Sequence, residues 1–247
     1  VESMHSIVTQ LPTSTDGTGG ADHPVFALLR PADESTWASR RRFCLASAAA
    51  LPPFSLKRLL LVLFELHLTT LALSKFPKLM CVWFHRHWCW TAIMLFVCMS
   101  PGLTPHASCS SSKTIIRGLL CFDEDVVWTA ACDTHRMNYN GWWYRRQLFA
   151  LSLKVMMTME MAQTQNRHGK GSGLSLCQSL VWTHDELFSA VEPASLACVA
   201  APNFTDAMES VFNHVCTVGL EFLQRHHNDA SAASFLIDVL LGALRRG

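Results

Sequence analysis

Two long runs of apolar residues dominate the middle of the chain. The first, residues 59–73, contains Glu65 and His67 and would reach about 22 Å as a helix, against roughly 30 Å for a hydrocarbon core. The second, residues 79–103, has Arg86 as its one charged residue. This pattern predicts helices over residues 56–104, arranged as a hydrophobic helical hairpin or with the second run as a single transmembrane helix.

A long helix is predicted over residues 142–168, where neither Gly nor Pro interrupts a sequence rich in Leu, Met and Ala. Lys154 and Glu160 lie inside this segment and argue against a lipid-spanning role. Its methionine cluster is typical of core filling or of an adaptable protein-binding surface. We therefore expect the segment to pack against protein.

The last part of the chain, residues 174–247, is predicted to form a C-terminal helical domain. Apolar residues recur at helical spacing in residues 205–226 and again after the cap at Asn228 or Asp229, in a segment that ends in Arg245 and Arg246. The two stripes predict an antiparallel helix pair. They consist of Met208, Val211, Phe212, Val215, Cys216, Phe222 and Leu223 in the first segment, and of Phe235, Leu236, Val239, Leu240 and Ala243 in the second.

The remaining segments lack a clear periodicity. Residues 1–55 begin with a tract rich in Thr, Gly and Asp and continue into a basic stretch, which predicts an irregular N-terminal arm. Residues 105–141 are predicted to be a loop-rich connector. The fold class that follows is mostly α, with one or two membrane-associated helices in the centre and a helical domain at the C-terminus.

Composition and charge narrow the classes of function. Half of the 247 residues are apolar, 16% are charged and the mean hydropathy is +0.20, which favours a membrane or a large protein interface. With a formal net charge of +1, the chain has no overall positive potential that would attract a polyanion. A dedicated nucleic-acid-binding protein is therefore disfavoured. Basic residues do cluster between positions 40 and 90, beside the apolar runs, as they do at anionic lipid surfaces.

Sequence motifs for catalysis and metal binding are missing or incomplete. The ten cysteines include no Cys-x-x-Cys pair, which argues against zinc-ribbon and thioredoxin-type sites, and most are expected to be reduced and packed. The tract at residues 167–173 lacks residues that a phosphate-binding loop requires. Asp123, Glu124 and Asp125 have no recognised metal-ligand spacing and are interpreted as a solvated acidic turn.

The segment HRHWCW, residues 85–90, concentrates side chains that suit a membrane interface, a protein core or a haem site. Tryptophans beside Arg and His at the end of an apolar run are typical of the lipid headgroup region. A ligand-free buried helix is the second interpretation. In the third, residues 74–78 turn the chain between antiparallel helices, which puts His67 and His85 at one height to ligate a haem iron. No other cofactor and no separate metal site is indicated.

The lack of a catalytic constellation favours a non-catalytic role, that of an accessory structural subunit in a larger membrane-bound complex. The expected partners are other protein subunits and the lipid bilayer. The basic flanks, and a first residue (Val1) other than Met, favour an organelle, and the mitochondrial inner membrane is the expected location. Two alternatives stay open: a membrane haem- or metal-binding redox protein that uses His67 and His85, and a soluble helical adaptor whose apolar centre is covered by a partner.

Overall fold

The computed structural model describes residues 23–52, 55–99, 118, 123–167 and 206–244, and every regular element in these ranges is helical. The prediction of a mostly α-helical protein is confirmed. The elements are α1 (Pro24–Leu29), α2 (Glu34–Ala49), α3 (Leu56–Lys75), α4 (Met80–Met99), a π-helical segment (Asp123–Trp128) that continues into α5 (Thr129–Thr134), α6 (Tyr139–Arg167), α7 (Asp206–Arg225) and α8 (Ala230–Leu244).

These helices form four hairpins, in each of which a turn of four residues joins a first helix to a second. Hairpin 1 joins α1 to α2, hairpin 2 joins α3 to α4, hairpin 3 joins the π-helical segment and α5 to α6, and hairpin 4 joins α7 to α8. The first turn residues of hairpins 1 to 3, Arg30, Phe76 and His135, have φ angles of −130°, −132° and −130°. The same turn therefore recurs along the chain.

Short polar side chains at the fourth turn position start the second helices. Asp33, Asn138 and Asp229 accept hydrogen bonds from backbone N–H groups two or three residues later, at 2.9, 3.1 and 2.9 Å. These bonds satisfy N–H groups that have no partner within the helix. The cap predicted at Asn228 or Asp229 is Asp229.

The second helices of hairpins 1 to 3 share the sequence Trp-x-x-Arg, which begins seven residues after the first turn residue. The three motifs are Trp37 with Arg40, Trp83 with Arg86, and Trp142 with Arg145. In α8 the equivalent positions are occupied by Ala233 and Leu236. Hairpin 4 therefore keeps the helix–turn–helix geometry of the unit and lacks its motif.

The hairpins stack side by side in chain order. Helix α2 packs against α4, α4 against α6, and α6 against α8, which makes one layer of second helices. In the other layer α1 packs against α3, and α3 against the π-helical segment. A stack of helix pairs in which each pair covers the apolar side of its neighbour is an α-solenoid.

Hairpin 4 shares its core with hairpin 3. Phe222 and Phe235 are fully buried, and their rings lie 5.1 and 5.2 Å from the ring of Trp142. Helices α7 and α8 meet closely at Gly219, where a Cβ atom would lie only 2.6 Å from the side chain of Leu236. The described part of the C-terminal region is therefore a continuation of the stack.

Two expectations for irregular segments are wrong in their described parts. The predicted arm, residues 1–55, contains α1 and α2, because Asp33 caps α2 and Trp37 of α2 is buried in the core. The predicted connector, residues 105–141, contains the π-helical segment and α5. Residues 1–22 and 174–205 lie outside the described residues.

The apolar stripes of the last two helices are largely buried as predicted, with one correction. Val215, Phe222, Phe235, Leu236 and Val239 belong to the core. Leu240, in contrast, is 49% exposed. It lies on the side of α8 that faces away from the stack.

The expected membrane helix lacks support, since no helix in the described ranges is long and apolar enough to cross a membrane. Most of the second apolar run forms α4, in which His85 and Arg86 are buried by protein groups. The rest of that run, residues 100–103, lies outside the described residues. Helices α3 and α4 form a hairpin, the other arrangement considered for residues 56–104.

Candidate functional site

The arginines of the three motifs are buried at the junctions between consecutive hairpins. Arg40, Arg86 and Arg145 are 3%, 1% and 4% exposed. A buried guanidinium must be paired and hydrogen-bonded, because an unpaired charge in the interior costs several kcal/mol. Each of the three side chains finds a partner on the first helix of the next hairpin.

At the first junction, Arg40 on α2 pairs with Glu65 on α3. The Nε of Arg40 donates to Oε2 of Glu65 at 3.2 Å, and Nη2 bonds to Oε1. The Nε2 of His85 lies 3.0 Å from the same Oε2. Burial would raise the pKa of Glu65, but hydrogen bonds from His85 and Arg40 outweigh it and lower that pKa. Burial lowers the pKa of His85 despite Glu65, so neutral His85 donates to a charged carboxylate.

At the second junction, Arg86 on α4 pairs with Asp123 at the start of hairpin 3. The Nε of Arg86 donates to Oδ1 of Asp123 at 2.9 Å, and Nη1 donates to three oxygens of α3 at 2.7–2.9 Å. Trp90 Nε1 and Tyr144 Oη also donate to the carboxylate, at 3.0 and 2.6 Å. Burial, followed by the charge of Asp123, raises the pKa of Tyr144. The junction is a fully bonded polar cluster inside the core.

The third junction differs because α7 provides no acid at the equivalent place. Arg145 donates from Nη2 to the backbone oxygen of Val215 on α7 at 3.3 Å. Its charge is balanced by Glu124 within hairpin 3, and Glu124 also bonds His214 of α7 at 2.7 Å. The guanidinium stands 4.4 Å above the ring of Trp128. A backbone carbonyl of α7 and the carboxylate of Glu124 in hairpin 3 thus take the place of the acid that α7 lacks, and His214 links that carboxylate to α7.

Two of the three motif tryptophans form hydrogen bonds to the turns. Trp37 Nε1 donates to the backbone oxygen of Pro31 at 2.9 Å, and Trp83 Nε1 donates to that of Pro77 at 2.7 Å. The two prolines occupy the same turn position. The oxygen of Pro77 also accepts a hydrogen bond from Asn138 Nδ2 of the next turn, at 2.9 Å. Consecutive turns are therefore tied together at one edge of the stack.

These buried clusters fix the spacing of the hairpins and contain no evident reaction centre. Burial is the main cause that raises the pKa of Cys44 and of Cys89, which keeps both thiols protonated and weakly nucleophilic. Within the described ranges, no group of three or more His, Cys, Asp or Glu side chains could hold a metal ion. The chemistry of the junctions is that of a rigid scaffold.

The structure does not bring His67 and His85 together. His85 is fully buried with its Nε2 on Glu65, whereas His67 is exposed. Glu65 and His67 are two residues apart on α3, so their side chains point in nearly opposite directions. Since Glu65 faces α4, His67 faces away from it, and this geometry does not support a haem held by the two histidines.

The interpretation of Asp123 and Glu124 as a solvated acidic turn is wrong. Asp123 is 1% exposed and pairs with Arg86, and Glu124 pairs with Arg145. The side chain of Asp125 lies outside the described residues. The acids are therefore internal partners of the motif arginines.

A second feature is the edge formed by the four turns, which we call the turn edge. It has exposed basic and apolar side chains at corresponding places in successive hairpins, so that they follow one another as a row. Asp133, an acid near this edge, pairs with Arg225 and His226, while Glu34 is an exposed acid beside it. The residues of the turn edge are Leu29, Arg30, Lys75, Phe76, Lys78, Arg136, Met137, Tyr139 and His227.

Comparison with known proteins finds a family that resembles one of the hairpins. The family model of the protein prenyltransferase alpha subunit repeat matches residues 62–93, which cover most of α3, the turn after it and most of α4, and include Trp83 and Arg86. No curated protein and no solved structure matches the chain. Hairpin 2 is therefore similar to a repeat of prenyltransferase alpha subunits, and hairpins 1 and 3 share its motif.

The motif residues were missed in the reading of the sequence. The three Trp-x-x-Arg motifs begin 46 and 59 residues apart, and an alignment of the chain with itself would have detected them. Read singly, Arg86 stood out as a charge in an apolar run. Its repetition at Arg40 and Arg145 would have indicated a helical repeat.

Proposed function

We propose that this protein is the helical-repeat subunit of a prenyltransferase-type assembly and that its task is to bind a second protein chain. The observation that carries the proposal is the match of the prenyltransferase alpha subunit repeat to hairpin 2. The recurrence of Trp-x-x-Arg at the buried junctions of hairpins 1 and 3 supports it. A subunit acts with at least one other chain.

The accessory-subunit prediction named other protein subunits and the lipid bilayer as partners. This proposal keeps the protein partners and does not include the bilayer. It is closer to the adaptor alternative, in which a helical protein acts through the surface that it presents. Solenoids bind partners along extended surfaces built from equivalent positions of successive repeats. The turn edge is such a surface in the described part of the chain.

The side chains of the turn edge define the kind of partner. Arg30, Lys75, Lys78 and Arg136 are exposed and basic, and Phe76 is 47% exposed among them. Aromatic and apolar side chains supply contact area in an interface, and charge supplies orientation and a faster encounter. The partner is therefore a protein that presents acidic residues around an apolar contact.

The test is to purify the tagged full-length chain from its native cells and to measure the mass of the assembly by native mass spectrometry. We expect a stoichiometric complex with one other protein, which the double charge reversal Lys75→Glu with Lys78→Glu removes. The matched control is Lys57→Glu, which alters an exposed lysine at the opposite end of α3. A chain that remains alone, or a complex that both variants weaken equally, would contradict the proposal.

Because the matched repeat is that of prenyltransferase alpha subunits, prenyl transfer is the activity to assay in the isolated complex. Prenyl transfer moves an isoprenoid from its diphosphate to a cysteine thiol of an acceptor protein, with release of diphosphate. We expect incorporation of a labelled isoprenoid by the complex and none by the chain alone. A complex that transfers no label from farnesyl or geranylgeranyl diphosphate would limit the proposal to the binding of a partner.

A further inference from the structure

The third junction satisfies its arginine less completely than the second. At the second junction Nε, Nη1 and Nη2 of Arg86 all donate hydrogen bonds to protein groups. At the third, Nε and Nη1 of Arg145 are buried and have no hydrogen-bond partner among the described residues. The same is true of Nε1 of Trp142 and, in hairpin 4, of Nδ1 of His226 and Oγ of Ser231. Water can reach these groups when hairpin 4 moves away, so they favour its release.

The register of the hairpins shows where the acid is missing. Glu65 lies 11 residues before the first turn residue of hairpin 2. Asp123 lies 12 residues before that of hairpin 3, because the π-helical segment accommodates one extra residue. The residue 11 places before His226, the first turn residue of hairpin 4, is Val215. Val215 is buried and its backbone oxygen receives the bond from Arg145, so it occupies the place of a carboxylate.

The ion pairs that do join hairpins 3 and 4 are partly open to solvent. Asp133 of α5 pairs with Arg225 and His226 at 2.7 and 3.0 Å, and Arg146 of α6 pairs with Asp238 of α8 at 2.5 Å. Ion pairs in such positions contribute little, because water competes for both charges. Among the described residues, no buried ion pair joins α6 to α7 in the way that Arg–acid pairs join the earlier hairpins.

The contacts of hairpin 4 also shape the turn edge. Met137, a residue of that edge, has a φ of 54°, a conformation that residues other than glycine adopt rarely. Its N–H donates to Oδ2 of Asp229 in the turn of hairpin 4 at 3.0 Å, which helps to hold this conformation. Two basic side chains of hairpin 4 offset the charge of Asp133 near the edge, and His227 of the edge belongs to hairpin 4 itself. The turn edge is therefore complete only while hairpin 4 is docked.

We propose that hairpin 4 docks reversibly on hairpin 3, because α7 has Val215 in place of the acid, and that its docking completes the turn edge for the partner. The first half concerns the chain alone, and the second half rests on the proposed function. A partner that binds the complete edge more tightly must in turn favour docking, because the coupling of two equilibria is reciprocal. Hairpin 4 then regulates the partner site.

Hydrogen–deuterium exchange of the purified chain, followed by mass spectrometry, tests the first half. We expect the backbone amides of α7 and α8 to have protection factors at least about 10-fold lower than those of α3 and α4. Val215→Glu provides the acid that α7 lacks and should raise the protection of α7 and α8 at least about 10-fold. The matched control Thr217→Glu adds the same charge on the exposed side of α7 and should leave the protection unchanged.

The direction of the Val215→Glu effect distinguishes the proposal from ordinary fraying of a helix pair. A carboxylate in place of a buried valine destabilises a packed helix unless a partner receives it, and here the partner is Arg145. Equal protection of the four helices in the wild type would overturn reversible docking. Unchanged or lower protection in Val215→Glu would overturn the missing acid as its cause.

The complex isolated to test the proposed function is used for the second half. Val215 and Val239 lie about 15 Å along their helices from the turn, and the amides around them should be at least about 10-fold better protected in the complex than in the chain alone. A complex in which these amides exchange as in the chain alone overturns only the coupling. A chain that forms no complex contradicts the proposed function and the coupling together, while the exchange result for the chain alone stands.

Discussion

Arg40 of α2 and Glu65 of α3 lie 25 residues apart in the chain and form a buried ion pair that joins hairpin 1 to hairpin 2. His85 of α4 donates to the same carboxylate, so three helices meet at one side chain. The carboxylate of Glu65 is 1% exposed. The buried carboxylate of Glu65 therefore favours this packing of the three helices over others, because any other packing would leave charges unpaired.

Removing Glu65 should therefore be costly. Glu65→Ala leaves Arg40 buried without its counter-charge, and we expect the free energy of unfolding to fall by about 3–5 kcal/mol. The measurement is urea unfolding followed by circular dichroism. Glu221→Ala, which alters an exposed acid of α7, should change it by less than about 0.5 kcal/mol.

The double variant Arg40→Met with Glu65→Leu distinguishes an unpaired charge from lost packing. When both charges are replaced by apolar groups, no charge remains unpaired, and much of the lost stability should return. A double variant that is no more stable than Glu65→Ala would show that loss of the ion pair itself, and not the unpaired charge of Arg40, accounts for the lost free energy of unfolding.

The second junction predicts that lysine cannot replace Arg86. The guanidinium donates to Asp123 and, through Nη1, to three oxygens of α3, a fan of bonds that a single ammonium group cannot reproduce. We expect Arg86→Lys to lower the free energy of unfolding by about 2 kcal/mol or more. In the same denaturation assay, Arg42→Lys on the exposed side of α2 should have almost no effect on stability. Equal effects of the two substitutions would show that the buried hydrogen bonds of Arg86 do not require a guanidinium.

Local signals in the sequence were sufficient for several helices. The uninterrupted segment at residues 142–168 corresponds to α6 (Tyr139–Arg167), and the cap at Asp229 separates α7 from α8. Caps and apolar stripes act over a few residues and can be read directly from the chain. The positions of these helices could therefore be predicted without knowledge of the fold.

The ion pairs at the junctions could not be predicted from the sequence, because the paired residues are far apart in the chain. Arg86 pairs with Asp123, 37 residues further on, and nothing in the apolar run around Arg86 indicates that an acid will meet it. Without that partner, an arginine among tryptophans resembled a membrane boundary. His67 and His85 illustrate a related limit, since equal height on two helices does not determine which sides of the helices face each other.

The indole hydrogen bonds distinguish two equivalent tryptophans. Trp83 Nε1 donates to the oxygen of Pro77, whereas Trp142 Nε1 is buried with no hydrogen-bond partner. Replacement by Phe removes a bond in the first case and an unsatisfied donor in the second. We expect Trp83→Phe to be the more destabilising by about 1 kcal/mol, as measured by urea unfolding, while equal losses would mean that the indole bond contributes nothing net.

His87 predicts how the stability depends on pH. Burial lowers the pKa of His87 to about 4 from an ordinary value of 6.5. Between those two values the unfolded chain binds a proton that the folded chain does not, so stability is fully present above pH 6.5 and falls as the pH drops toward 4. The contribution of His87 should amount to about 2 kcal/mol between pH 7 and pH 5, and His85, whose pKa is also lowered by burial, acts in the same direction.

The pH dependence can be assigned to His87 by substitution. We expect the urea midpoint of the wild type to fall between pH 7 and pH 5, and His87→Gln to show a clearly smaller fall because the titrating group is gone. His67→Gln on the exposed side of α3 should follow the wild type. Measurements stop at pH 5 because Glu65, whose pKa is lowered in the folded chain, begins to weaken the first junction below its unfolded value of 4.5. If His87→Gln retained the full fall, His87, half-buried beside Trp143, would not be the neutral group that its lowered pKa implies.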